Sequence, residues 1–144
     1  MTAHAHPNRL GIRGWVGGRS SGFERYMYLL HRVTGLGVLA YFVMHIFVTS
    51  TRVLGPDIWQ QAMGVFSNPV FEVGEYLVFA AVAFHAINGV RLALIEFGFV
   101  IGKPIEPVYP YATSVGRQRL LARLALMVAA LIALWGGLDF FVLK

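Results

Sequence analysis

Histidine side chains interrupt the apolar stretches of this sequence, and they are the residues best suited to chemistry. His85 lies in the middle of the run 71–101, and Gly89 follows it one helical turn later. Ionisable groups in apolar surroundings are costly and usually mark a functional site. Imidazole is a good axial ligand of haem iron, and a glycine one turn away leaves room for a flat macrocycle. The pattern favours His85 as an iron ligand over a histidine that only hydrogen-bonds a neighbouring helix.

A second histidine series begins in the run 26–50. Its members recur at steps of four and three residues, which places them on one stripe of a helix. They are His31, Gly35, Val38, Phe42, His45, Thr49 and Arg52. His45 follows His31 at a separation of about 21 Å along a helix. That distance suits two haems stacked across a bilayer, with His45 as the iron ligand of the second. The stripe equally fits a packing seam against a partner helix.

Charged residues beside these histidines suit the propionates of a haem. Arg52 lies two turns past His45 and could neutralise a propionate there, whereas His31 stands next to Arg32 and could contact a propionate or a polar headgroup. His45 and His85 lie at different depths on antiparallel helices, so they would not meet across one iron. Each iron therefore needs a second ligand from a partner subunit. Asp139 is expected at the membrane surface and receives no chemical role.

Two absences from the sequence exclude other chemistry within this chain. It has no cysteine, so it holds neither an iron–sulfur cluster nor a disulfide. It also has no glycine-rich phosphate loop, which argues against a nucleotide or flavin site.

The composition predicts that helices in a membrane position these residues. Hydrophobic residues make up 57% of the 144, and charged residues make up only 13%, against about 25% in a typical soluble domain. The apolar residues form three blocks, 26–50, 71–101 and 120–143, each long enough for the ~20 residues that cross a bilayer. We therefore expect an all-α integral membrane protein with three transmembrane helices. A polar tail over 1–25 precedes the three-helix unit 26–144, and an interfacial helix is predicted at 57–66.

Basic residues predict how the helices are oriented. Two segments, the tail and the loop after the second span, carry eight of them: Arg9, Arg13, Arg19, Arg25, Lys103, Arg117, Arg119 and Arg123. The first loop and the C-terminus have only Arg52 and Lys144. The positive-inside rule then places the N-terminus in the cytoplasm and the C-terminus outside. The net charge of +5 thus reports topology and gives no reason to expect a nucleic-acid partner.

Two segments resemble a known family. Residues 28–35 (YLLHRVTG) resemble the S-x-x-HR-x-[ST]-G start of the first helix in the cytochrome b556 subunit of succinate dehydrogenase. Residues 84–91 (FHAINGVR), with Glu96 beyond them, are similar to its second-helix signature F-H-x-x-x-G-[IV]-R-x-x-x-x-D. The likeness runs over nearly the whole chain and is strongest to the actinobacterial and archaeal type of anchor.

The resemblance implies a membrane anchor of respiratory complex II in a prokaryotic cytoplasmic membrane. In that family a flavoprotein oxidises succinate, an iron–sulfur subunit carries the electrons, and a pair of anchor subunits binds quinone and often haem b. This chain would be half of such a heterodimeric anchor. The resemblance implies that His85 is the axial ligand and that the two anchor subunits share one or two haems. It also assigns His31 and Arg32 to the haem propionate and the quinone pocket.

The quinone pocket that the resemblance implies also includes Arg91 and Glu96, which could relay protons. Tyr28 replaces the serine that contacts ubiquinone in the well-known enzymes, which makes menaquinone plausible beside ubiquinone. A fumarate reductase anchor would use the same parts in reverse. A haem-free scaffold, a self-contained di-haem cytochrome and a small transporter are the alternatives from other classes.

Overall fold

Four α-helices make up most of the computed structural model, which describes residues 22–102, 109 and 114–143. Helix α1 is Phe23–Ser50 and continues into a 3₁₀ turn, Thr51–Leu54. Helix α2 is Pro56–Phe66, α3 is Pro69–Glu96 and α4 is Val115–Phe141. The tail predicted over 1–25 lies outside the described residues as far as position 21, as does most of the loop after α3.

The three long helices are apolar and long enough to cross a membrane. At 28 residues, α1 and α3 each span about 42 Å, more than the ~30 Å of a hydrocarbon core. The predicted all-helical, three-span architecture is confirmed for the part of the chain that the structure describes.

Local sequence sets the boundaries of the short helix α2. Gly55 adopts a φ of 112°, which favours glycine, and Pro56 occupies the first turn, where its missing N–H costs nothing. After α2, the Asn68 side chain accepts hydrogen bonds from the N–H groups of Val70 (3.0 Å) and Phe71 (3.3 Å), which caps the start of α3.

The second spanning helix ends at Glu96, not at residue 101 as its apolar run predicted. Gly98 has a φ of 82° and closes the helix. Its N–H bonds the Ile95 carbonyl (2.9 Å), while the Phe99 N–H bonds the Leu94 carbonyl (3.1 Å), and this pair of bonds is the Schellman motif. The run stays apolar past the glycine, so hydropathy alone misses this end.

The other two spanning helices start earlier than their apolar blocks. Helix α1 begins at Phe23, not at 26, and α4 begins at Val115, not at 120. Polar first turns precede the apolar residues in both helices, and hydropathy does not register them as helix.

Helix α3 is central and packs against both α1 and α4. The contact with α4 is close because α4 presents small residues: Ala122, Ala125, Ala129 and Gly136 are buried. The Phe79 ring occupies the space where a Cβ on Gly136 would be. The Tyr76 hydroxyl donates a hydrogen bond to the Ala133 carbonyl (3.2 Å), so packing and a polar contact together fix α3 against α4.

Helices α1 and α4 meet at one end of the bundle. Met27, Phe84 and Ala129 form a small core there, one residue from each long helix, and Arg119 forms a salt bridge with Glu24. This end also carries Arg25, Arg32, Arg91, Arg117 and Arg123, and we call it the basic end.

Candidate functional site

Two histidines lie at the point where α1 and α3 pack together, towards the basic end. The rings of His31 and His85 are stacked, with centroids 4.0 Å apart and planes within 4° of parallel. Both side chains are half-buried. The sequence named both residues as candidates, and the structure brings them into direct contact.

Each histidine packs against a glycine of the opposite helix. A Cβ on Gly35 would stand 2.7 Å from Cε1 of His85, whereas a Cβ on Gly89 would stand 3.6 Å from Cε1 of His31. The first distance is a clash and the second is an ordinary contact. Gly35 therefore provides the space for the His85 imidazole from the other helix, while the role of Gly89 in leaving room for a macrocycle stays a prediction.

Hydrogen bonds fix the tautomer of His85. Its Nδ1 lies 3.1 Å from the His31 carbonyl oxygen and 3.5 Å from the Thr34 hydroxyl. The Thr34 hydroxyl donates its hydrogen to the Leu30 carbonyl (2.8 Å), so towards His85 the Thr34 oxygen can only accept a hydrogen bond. Because a carbonyl only accepts, Nδ1 carries the proton, and Nε2 keeps its lone pair. Within the described residues Nε2 has no hydrogen-bond partner. Metal-ligating histidines have the same arrangement, in which one ring nitrogen donates to an acceptor and the other is free to bind the metal.

Nδ1 of His31 is buried and has no hydrogen-bond partner among the described residues. A buried polar atom without a partner costs about 1–3 kcal/mol. Such an atom beside an imidazole whose Nε2 is free marks a place where a polar group from outside the described residues would fit.

His45 lies on a different part of the molecule. It is exposed and packs against Tyr41, with ring centroids 5.7 Å apart. Together they line a cavity of about 320 Å³ between α1, α2 and α3, which Trp59 and Met63 of α2 also line. The Arg52 guanidinium lies 5.1 Å from the Trp59 ring centroid. Arg52 thus contacts a residue that lines the cavity beside His45, away from the stacked pair.

The residues assigned to a quinone pocket separate into exposed and buried groups. Tyr28, Arg32 and Glu96 are exposed at the basic end, and the Arg32 guanidinium lies 5.1 Å from the Tyr28 ring centroid. Arg91 is only 8% exposed, and its Nε donates to Oδ1 of the buried Asn88 (2.8 Å). Arg91 therefore faces the interior of the bundle, and its place in a quinone pocket stays a prediction.

Thr34 and Gly35 are parts of the site to which sequence reasoning gave no role towards His85. The signal was present in the sequence: both His31 and His85 are followed by a glycine at the fourth position. Two such segments on antiparallel helices place each histidine over the glycine of the other. The sequence does not say at which level α1 and α3 pack together, so it does not reveal that each histidine contacts the glycine of the opposite helix.

Comparison with known proteins places the chain in a family. Residues 18–134 match the family described as "Succinate dehydrogenase/Fumarate reductase transmembrane subunit". The chain belongs to this family. The succinate dehydrogenase resemblance drawn from residues 28–35 and 84–91 is confirmed, and the matched range includes both histidines of the stacked pair.

Two curated relatives carry names from the same family. One is "Succinate dehydrogenase 2 membrane subunit SdhC" of Mycobacterium tuberculosis, 28% identical over 72 residues, which are 50% of this chain and 53% of that protein. The other is the "Succinate dehydrogenase hydrophobic membrane anchor subunit" of Halobacterium salinarum, 30% identical over 74 residues, 51% of this chain and 57% of that protein. The chain thus spans about half the length of the curated relatives it matches. As a member of this succinate dehydrogenase anchor family, with three apolar helices, it is a multi-pass prokaryotic membrane protein.

Proposed function

We propose that this chain is a membrane-anchor subunit of succinate:quinone oxidoreductase that binds haem b through Nε2 of His85. Family membership supports the anchor role, and both curated relatives are named as membrane subunits of succinate dehydrogenase. The observation that carries the haem assignment is the bond from Nδ1 of His85 to the His31 carbonyl, because it leaves Nε2 as the only nitrogen able to bind iron.

The surroundings of His85 fit a haem. Gly35 provides a notch for the ring, and the unpaired Nδ1 of His31 offers a hydrogen bond to a polar group such as a propionate. When bound, the haem supplies a one-electron carrier inside the bilayer. The residues of this chain hold it: His85 ligates, while Thr34 and the His31 carbonyl keep the imidazole in one tautomer.

The second axial ligand would come from a partner anchor subunit, so this chain would be half of a heterodimeric anchor. The rings of His31 and His85 lie face to face at 4.0 Å, an arrangement that cannot place one nitrogen on each side of an iron atom. His45 lies at the level of the α2 cavity. Among the described residues, nothing else near His85 offers an imidazole from the opposite side.

The quinone pocket of the proposed complex would lie at the basic end. Tyr28 and Arg32 are exposed there and close together, and both can donate hydrogen bonds to quinone oxygens. Reduction of quinone takes up two electrons and two protons, and preorganised donors stabilise the negative charge that develops on those oxygens. Glu96, exposed at the end of α3, would pass protons from the cytoplasm. Tyr28, in place of a serine, makes menaquinone plausible beside ubiquinone.

The basic end would face the cytoplasm, where the iron–sulfur subunit would dock and deliver electrons from the flavoprotein subunit. The concentration of arginines at that end supports this orientation. His45 would ligate a second haem near the opposite membrane surface, with Arg52 available to a propionate. The cavity lined by His45 and closed by α2 supports that assignment.

A haem count on the purified complex tests the proposal. The complex is extracted in mild detergent, its subunits are identified by mass spectrometry, and haem b is quantified by the pyridine haemochrome method. Co-purification with an iron–sulfur subunit, a flavoprotein and a second anchor, with one or two haems per complex, is expected. A complex with all four subunits and no haemochrome signal would establish a haem-free scaffold instead.

The family description also names fumarate reductase, and the same parts would serve a quinol:fumarate reductase. The steady-state rates of succinate oxidation and of fumarate reduction in membranes decide the direction. We expect succinate oxidation to be faster.

A further inference from the structure

We propose that His31 is a positioning residue for His85, acting through the face of its ring and not as a direct quinone contact. This inference rests on the proposed haem ligation. The sequence assigned His31 to a propionate or to the quinone pocket. The structure directs the ring at the iron ligand itself, with the two planes parallel within 4°.

The His31 ring contacts α3 at two places. It stacks on the imidazole of His85 with ring centroids 4.0 Å apart, and a Cβ on Gly89, one turn further along α3, would stand 3.6 Å from its Cε1. Both imidazoles are half-buried. The stacked ring of His31 therefore limits how far the His85 ring can tilt in that direction.

His85 is restrained from three directions in this arrangement. The backbone of α1 at Gly35 lies close to the ring, since a Cβ there would stand 2.7 Å from Cε1, and the His31 carbonyl holds Nδ1 at 3.1 Å. The His31 ring then covers one face. The carbonyl bond prevents the ring from flipping and the stacked face prevents it from tilting, so Nε2 points in one direction. Orientation of the axial imidazole tunes the electronic state of a haem iron, and the groups behind a ligand control that orientation.

Substitutions at position 31 separate the ring from the backbone bond. The carbonyl belongs to the main chain and remains in every variant. His31→Phe keeps a flat ring but removes both nitrogens, His31→Ala removes the ring, and His31→Leu fills the space without a flat face. If stacking sets the orientation of His85, phenylalanine will preserve it, whereas alanine and leucine will not.

The readout is the low-spin haem EPR spectrum of the purified complex, which responds to the orientation of the axial ligands. We expect His31→Phe to keep the wild-type g-values, with less than a twofold loss of haem because it lacks the Nδ1 that would bind a propionate. His31→Ala is expected to shift the largest g-value, with less than a twofold loss of haem. If His31→Ala fails to assemble, His31→Leu takes its place in the comparison, since it retains apolar volume.

Two results would overturn the inference: g-values in His31→Ala or His31→Leu that equal those of the wild type, or a shift in His31→Phe as large as that in the ring-less variants. In the second case a ring nitrogen of His31, and not its ring face, would set the orientation of His85. Failure of the underlying haem assignment looks different, because His85→Ala would then keep its haem. The Michaelis constant for quinone should stay within twofold of wild type in His31→Phe, and a tenfold rise would make His31 a quinone contact instead.

Discussion

Gly35 and Gly89 illustrate how single residues decide the site. Each follows a histidine by four residues in the sequence, and each lies under the histidine of the other helix in the structure. The fit is tight at Gly35 and looser at Gly89. Space for the His85 imidazole therefore comes from Gly35 of α1, while α3 carries the histidine itself.

Gly35→Ala should displace His85 and reduce haem content, because the new methyl group would stand 2.7 Å from Cε1 of the imidazole. Overpacking of this kind costs about 1–3 kcal/mol. Gly37→Ala on the same helix is the matched control, since a Cβ there meets nothing within 4 Å. Haemochrome content per complex is the measurement. Equal haem content in the two variants would show that the notch at Gly35 does not matter.

Asn88 and Arg91 give a second prediction for single residues. Asn88→Leu removes the acceptor for the buried Arg91 Nε, and an unpaired buried donor costs about 1–3 kcal/mol. We expect lower thermal stability of the detergent-solubilised complex with an unchanged Michaelis constant for quinone. Asn88→Asp keeps an acceptor and should be milder. A raised Michaelis constant for quinone at unchanged stability would instead show that Arg91 belongs to the quinone pocket.

Among the helices, α3 is the element on which the others depend. It carries His85, the proposed iron ligand, on the side that faces α1, and it packs on the small residues of α4 with another side. Its contact with α4 therefore supports the helix that carries His85. Changes at the α3–α4 contact should therefore act first on stability.

Gly136→Ala should loosen α4 from α3, because the added methyl group overlaps the Phe79 ring. A loss of about 1–3 kcal/mol is expected, seen as a lower unfolding midpoint in detergent. Gly116→Ala, also in α4, meets nothing within 4 Å and should be neutral or stabilising, as alanine favours helix over glycine. If the two variants unfold at the same midpoint, the close packing at Gly136 is not needed.

The elements also show what sequence can and cannot predict. Length and apolar character were enough for three spans. The short helix, predicted at 57–66 and found at Pro56–Phe66, follows from the start signals Pro56 and Asp57 and the stop signal at 67–69. The end of α3 was missed because Gly98 stops the helix by backbone conformation while the residues around it stay apolar. The hydrogen bond from Arg91 to Asn88 was not predicted, because hydropathy does not say which side of α3 is buried.

At the scale of the whole molecule, charge divides the bundle into two ends. The starts of α1 and α4 and the end of α3 share the basic end, where Arg119 pairs with Glu24. Much of the apolar surface of α1 stays exposed, with Met27 its one buried residue among those described. A basic end and an open apolar face suit a subunit that meets soluble partners at one surface and another membrane chain within the bilayer.

Fusions to the two termini test the orientation of the chain in the membrane. A fluorescent protein that matures only in the cytoplasm should be bright when fused before residue 1 and dark when fused after Lys144, because the arginine-rich segments stay inside. A periplasmic enzyme reporter should give the opposite pattern. Bright fluorescence from the C-terminal fusion would reverse the orientation and put the proposed quinone pocket on the wrong side.

The most direct test of the account is the reduced-minus-oxidised spectrum of the purified complex carrying His85→Ala, compared with His45→Ala. If Nε2 of His85 binds the iron of the haem near the basic end, the first substitution removes that b-type signal. His45→Ala should leave this signal in place and remove only the contribution of a second haem. A spectrum of His85→Ala identical to the wild type would show that His85 does not bind haem iron.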